Sequence, residues 1–320
     1  MSLSLENPVA QAELDHLRRI TVSRSALIRI FTRGLFIVMN VISLLIVALV
    51  VSRAVKTPDT YYEYSEIIIQ VVVLLMVYTV FMHFQVMFRT LGIASNTILR
   101  EKQSHTWETL ILTNVNARQL VLGKWLAVIY IMWKSYTWLA VLRVGASLGF
   151  GAIILSNDRN IILWFRNQPT LSPVRDLVYA IVLVILFTFA NLLFTAAAGV
   201  IASLLGRVNS PGIATGQATR LGVLIVPILL FMIPIIYYFV TLTPPITNEK
   251  LGPFGEFIAW VEISILDNGS LLTSILSNPQ DSVASTFVPA GLVVSSVYLV
   301  LAAVLLVVGQ WIAKKQGASA

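Results

Sequence analysis

Cysteine is absent from the 320 residues, which excludes disulfides and thiolate chemistry. Histidine is nearly absent: His16, His83 and His105 share no face with carboxylates at metal-ligand spacing, so no metal site is expected. Charge is scarce as well. Asp, Glu, Lys and Arg make up 12% of the chain, against ~25% in a soluble domain. No H-E-x-x-H or G-x-S-x-G motif occurs, so nothing positive points to an intramembrane hydrolase. No G-x-x-x-x-G-K-[ST] loop occurs either. Gly123-Lys124 lacks both the upstream glycine and the following hydroxyl, so ATP hydrolysis is not expected of this chain. The first thirty residues are polar, and no cleavable signal peptide is evident.

What fills the chain instead is apolar sequence: 57% of residues are hydrophobic and the mean hydropathy is +0.84. Apolar runs recur near or above the ~20 residues that cross a bilayer as a helix. They are continuous, which disfavours a barrel of alternating ~10-residue strands. The expected fold is an all-α polytopic membrane protein with about six spans, near 34–51, 67–88, 121–155, 177–205, 221–240 and 287–312. Residues 1–33 form an N-terminal segment and 34–320 a single transmembrane domain. Asn7-Pro8 is a helix start, and Val9, Leu14, Leu17 and Ile20 interleave with charges, predicting an amphipathic interfacial helix. A solvated basic tail is the alternative. Between spans 5 and 6, two short apolar pieces, 254–266 and 271–276, read as extracellular helices.

The net charge of +7 does not indicate nucleic-acid binding, because the basic residues sit at the ends of apolar runs. Arg18, Arg19, Arg24, Arg29 and Arg33, then Arg207, Arg220, Lys314 and Lys315, fall on one side. The acidic 241–285 loop falls opposite. The positive-inside bias then places both termini in the cytoplasm of a plasma-membrane protein.

Residues 98–126 lie between spans 2 and 3 and are too polar to cross. Trp107, Leu110 and Ile111 share a helical face, with Glu108 in the first turn, where a carboxylate suits the helix dipole. Thr113-Asn114-Val115-Asn116 interrupts, and Asn116 with Gln119 has capping-box spacing. A cytoplasmic hairpin of two short helices is predicted, presenting a rigid surface to a soluble partner.

These residues resemble those of the type-2 ABC exporter permeases, membrane subunits of ATP-binding-cassette exporters. The family shows E-[RK]-x-x-G-T-L-E-x-L-L-x-T-P-[LV]-S-x-x-x-[IL]-x-x-G-K. This chain carries Glu101-Lys102, Thr106-Trp107-Glu108, Leu110, Leu112-Thr113, Val115, Arg118, Leu120 and Gly123-Lys124 in matching register. His105 stands where the family has glycine, Asn114 where it has proline and Asn116 where it has serine. Asn7-Pro8-Val9 followed by Glu13-Leu14 is similar to the start of many such permeases. The resemblance implies a coupling helix around 101–113 that docks on a separate cytoplasmic ATPase. It also implies a second permease chain, like or unlike the first, surrounding membrane lipid, and ATP-Mg held by the ATPase, with no cofactor on this chain. The ATPase-coupling set is then Glu101, Lys102, Thr106, Trp107, Glu108, Arg118, Gly123 and Lys124. A non-transporting scaffold or a degenerate partner of another permease is the alternative.

Within the spans, Lys134 falls near mid-bilayer and Arg143 near the outer edge. A cation there costs ~2.5–3.5 kcal/mol or more and must face protein or water. Lys134 and Asn191 are candidate substrate-pathway residues; alternatively Lys134 pairs internally with Asn191, Gln70 or a loop carboxylate. Snorkelling is expected of Arg143. Asn40, His83 and Gln85 are expected to make interhelical hydrogen bonds. Trp125, Tyr130, Trp133, Tyr136 and Trp138 read as interfacial belt and packing.

Overall fold

A computed structural model describes residues 8–20, 26–56, 66–107, 116–157, 173–206, 214–222 and 283–316. The helices are α1 Pro8–Ile20, α2 Ala26–Lys56, α3 Glu66–Asn96, α4 Leu99–Gln103, α5 Ala117–Asn157, α6 Pro173–Leu205 and α7 Val283–Lys315. Residues 214–222 are also helical. Five described helices are long and apolar enough to cross a membrane: Gly34–Ser52, Ile67–Asn96, Ala117–Phe150, Leu177–Leu205 and Gly291–Lys315. The expected span at 221–240, the Pro227 and Pro234 kinks and the short outer helices fall outside the described residues, apart from the first two positions of that span.

The surface is that of a bilayer protein. Ile37, Leu45, Val77, Phe81, Val300 and Val307 all stand exposed along α2, α3 and α7. Such apolar faces far exceed the scattered hydrophobics or small patches of soluble monomers. The protein is a membrane-spanning helical bundle.

Lipid is as apolar as leucine, so packing and interhelical polar contacts must hold the helices together. Small residues make that packing possible. A Cβ on Gly145 of α5 would collide with Ser43 of α2, and one on Gly199 of α6 with Ala94 of α3. At the first of these crossings the Ser43 hydroxyl donates to the Val141 carbonyl at 2.6 Å. The most enclosed helix is α6, whose residues 194–204 are all buried. Its neighbours are α3, α5 and α7, and α2 flanks α5.

Contact order along the helices gives their directions. Phe36 meets Trp138, Ser43 meets Val141, and Ile46 lies beside Gly149, so α2 and α5 ascend together. Val72 lies beside Gly149 and Thr90 reaches Tyr136, so α3 descends. Trp125 bonds the Leu193 carbonyl while Arg143 bonds Thr188, so α6 also descends. Tyr298 meets Phe194 and Gly309 lies against Ile201 and Leu204, so α7 runs parallel to α6. The foot of α5, the ends of α3, α6 and α7, and helices α1 and α4 therefore share one end of the bundle.

The helices overrun the expected spans. The 41 residues of α5 extend ~60 Å against a ~30 Å hydrocarbon core. Upright in a bilayer, α5 would therefore extend beyond the apolar layer.

Candidate functional site

The common end of the bundle is held by ionic contacts. Glu13 of α1 is 2% exposed and accepts from Lys124 of α5 at 2.5 Å and from Arg100 of α4 at 3.2 Å. Lys124, 3% exposed, also contacts Glu101 of α4. Two carboxylates and two cations from three helices thus close on one another. Lone buried charges are costly, and mutual pairing is what makes this burial tolerable.

A second group joins α4 to the other side of the end. Lys102 donates to the Leu204 carbonyl at 2.6 Å and lies 5.7 Å from the centre of the Trp107 ring. Gln316, just past α7, donates to the same carbonyl at 3.1 Å. Leu204 is in the last turn of α6, where carbonyls lack helical partners and cationic donors are favoured. Burial lowers the Lys102 pKa from its ordinary 10.5. The result is a platform in which α1, α4, α5, α6 and α7 are cross-tied.

The outer edge of the platform is a turn. His105 has φ 58°, in the left-handed region that favours glycine. It holds the position where the resembled family has glycine, and its own backbone takes a conformation that glycine favours. Around it, Ser104 Oγ and Thr106 Oγ1 lie 2.8 Å apart, and both donate to the Glu101 carbonyl at 3.3 Å. These hydroxyl bonds compete with helix continuation. The helix expected around 101–113 is accordingly broken at 104–105 and resumes at 106–107. Glu108 and 109–115 lie outside the described residues. Asn116 caps α5 as its spacing predicts, its side-chain oxygen accepting from the Arg118 amide at 2.8 Å.

The coupling set divides by exposure. Thr106 and Arg118 are exposed, while Trp107, Gly123 and Lys124 are buried. Glu101 and Lys102 are half-buried and turn into the platform. Glu13 is the residue that periodicity missed. It occupies the buried face of α1 beside Ala10. Its signal was one of two acids in α1, Glu13 and Asp15, and which of them pairs was legible only once the partner was known.

A second polar group lies deeper. Arg220 is 7% exposed and donates to Asn191 at 2.6 Å, and Thr195 donates to the same amide oxygen at 3.2 Å. Arg220 is among the basic residues counted on the side of the termini; its side chain is inside the bundle, because residues 214–222 pack along α3 and carry it to α6. Arg143 does not snorkel. It is 2% exposed and donates to Thr188 at 2.9 Å, because its face of α5 packs on α6. Asn191 is thus engaged by Arg220 and not by Lys134, which is exposed midway along α5 near Tyr130, Thr137 and Trp138 on the same face. Asn40 bonds the Phe36 carbonyl of its own helix at 2.8 Å instead of a neighbour, since the amide reaches back one turn more readily. His83 Nδ1 has no partner, and Gln85 is exposed. Of the aromatic set, Trp133 stacks on Phe189 at 4.4 Å, while Tyr136 is fully buried and reaches Thr90 at 3.5 Å. Among the described residues, no group of three or more His, Asp or Glu gathers as a metal site.

No protein-family model, no characterised protein and no solved structure matches the chain.

Proposed function

We propose that the chain is the membrane-spanning permease subunit of an ATP-driven exporter of the ATP-binding-cassette type. A separate ATPase chain supplies hydrolysis, and this chain converts its motion into outward movement of a substrate. The observation that carries this reading is the ionic cluster of Glu13, Glu101 and Lys124. Glu101 and Lys124 are the outermost charged positions of the family register, and Glu13 belongs to the similar N-terminal motif. A force applied at the 104–106 turn passes through this cluster into α1 and α5, and through Lys102 into the ends of α6 and α7. Such cross-ties suit a coupling element, which must move as a rigid body.

Six spans fit this reading. Helices α6 and α7 are parallel, so the chain between them has to return to the opposite end, and the apolar run at 221–240 is assigned to that return. Both terminal helices then lie on one side. The tail arginines and Lys314-Lys315 make that side cytoplasmic by the positive-inside bias. Lys134 is assigned to a wet pathway or to the contact with a second permease chain, since a bilayer-facing lysine at that depth costs ~2.5–3.5 kcal/mol or more.

The test is co-purification from the native membrane with and without Arg118→Glu, a change at an exposed position that touches none of the platform bonds. Recovery of a chain with Walker motifs alongside the unaltered protein, reduced by the charge reversal, supports the permease. If no ATPase accompanies the unaltered protein, the non-transporting scaffold is the better reading.

A further inference from the structure

Helices α3, α5 and α6 each carry polar residues seven apart: His83 and Thr90, Tyr136 and Arg143, Thr188 and Thr195. Seven residues are two helical turns, so each pair lies on one face. The three faces meet in two tiers. Arg143 bonds Thr188 in one tier, and Tyr136 reaches Thr90 in the other. Arg220 enters from 214–222, bonding Asn191 with its cation 6.0 Å from the Phe194 ring. His83 and Tyr136 lie within electrostatic reach of both arginines.

The charge of this seam is one-sided. The five spanning helices contain no Asp or Glu except Glu66 and Asp176, both in the first turns of their helices. Among the described residues Arg220 makes no ion pair; it bonds an amide, lies by an aromatic face and is within electrostatic reach of the phenols of Tyr136 and Tyr298. Two donors there are also unmet. Among the described residues, Arg220 Nε and Asn191 Nδ2 are buried with no hydrogen-bond partner. Nε lies on the same edge of the guanidinium as Nη2, the atom that bonds the Asn191 oxygen, and Nδ2 is on the same carboxamide as that oxygen. Both free donors therefore flank one contact. A buried cation with one idle N–H, an idle amide N–H beside it and no acid among the described residues has the chemistry of an anion receptor.

We propose that Arg220 and Asn191 form an intramembrane site for a small monovalent anion, of halide or formate size. The anion takes hydrogen bonds from Arg220 Nε and Asn191 Nδ2 and neutralises the guanidinium. It ties 214–222 to α6, so occupancy governs how firmly that segment is held. The site stands on its own geometry whether or not the chain is a permease.

The test uses the full chain in nanodiscs of zwitterionic lipid, so that no anionic headgroup competes. Thermal unfolding is followed as sodium gluconate is replaced by sodium chloride, bromide or formate at constant ionic strength. The unaltered protein is expected to gain about 5 °C in a saturable way with the small anions. Arg220→Gln is expected to lose that dependence. Asn191→Asp keeps the shape and sets a carboxylate against the Nε/Nη2 edge of Arg220. It is expected to fold, to match the chloride-saturated midpoint in gluconate alone, and to respond to no added anion. A wild-type midpoint indifferent to the anion, or an Asn191→Asp protein that still responds to chloride, overturns the assignment.

Discussion

Lys124→Met is the most informative single change at the platform. Lys124 is 3% exposed and sits between two carboxylates. At 2.5 Å from Glu13, the attraction is about 7 kcal/mol before desolvation, with an effective dielectric near 20. Desolvation of both ions offsets much of this. The loss on removing one partner is larger than the net value of the pair, because Glu13 is then left with Arg100 alone and Glu101 loses its contact with a cation. That arginine is 34% exposed and touches Glu13 alone, so its compensation is weak. The expected cost is about 3–5 kcal/mol, seen as a fall of about 5–10 °C in the thermal midpoint of the detergent-purified protein. Adding Glu13→Gln and Glu101→Gln removes the stranded charges, and the triple variant should recover most of the loss. Two results would refute the reasoning: a Lys124→Met midpoint within a degree of the unaltered protein, or a triple variant less stable than the single one.

Other perturbations read separate features. His105→Gly relaxes a left-handed residue and should be neutral or stabilise by up to about 1 kcal/mol, whereas His105→Val should destabilise; paired melting curves of the two variants check this. Gly145→Leu drives a side chain into Ser43 and should abolish the folded peak on size exclusion, while Gly222→Ala, with open space around it, should leave it unchanged. Lys102 has a folded pKa below its unfolded value, so the folded state releases its proton first. Stability should therefore rise with pH through the alkaline range below 10.5, and Lys102→Met should lose that rise in melts taken at stepped pH. Because the chain has no cysteine, single cysteines at Ser104 and Gln316 can be labelled without background. Both should react with an impermeant maleimide only when the cytoplasmic side is open.

The five described apolar helices were legible because membrane insertion depends on length and hydropathy, which are local. The start of α1 at Pro8 and the Asn116 cap were legible for a similar reason, since each is decided within one turn. Burial of charge was not. Glu13 is 87 residues from Arg100 and 111 from Lys124, and no periodicity records a contact at that separation. The burial of Arg220 was not legible because a basic residue beside an apolar run has two readings, and its choice depends on where 214–222 packs. The break at 104–105 escaped because it rests on hydroxyl bonds and a left-handed histidine, a residue type that does not announce such a turn. The deeper seam was visible as isolated polar residues, and only the packing of three helix faces made them one group.

The central claim is that the 104–106 turn is where an ATPase docks. A photo-crosslinking amino acid at Thr106, exposed and at the outer edge of the platform, tests it directly in intact native cells. One dominant adduct is expected, its captured chain carrying Walker motifs and its yield changing when ATP is depleted before irradiation. Capture of lipid alone, or of proteins without a nucleotide-binding motif, would contradict it.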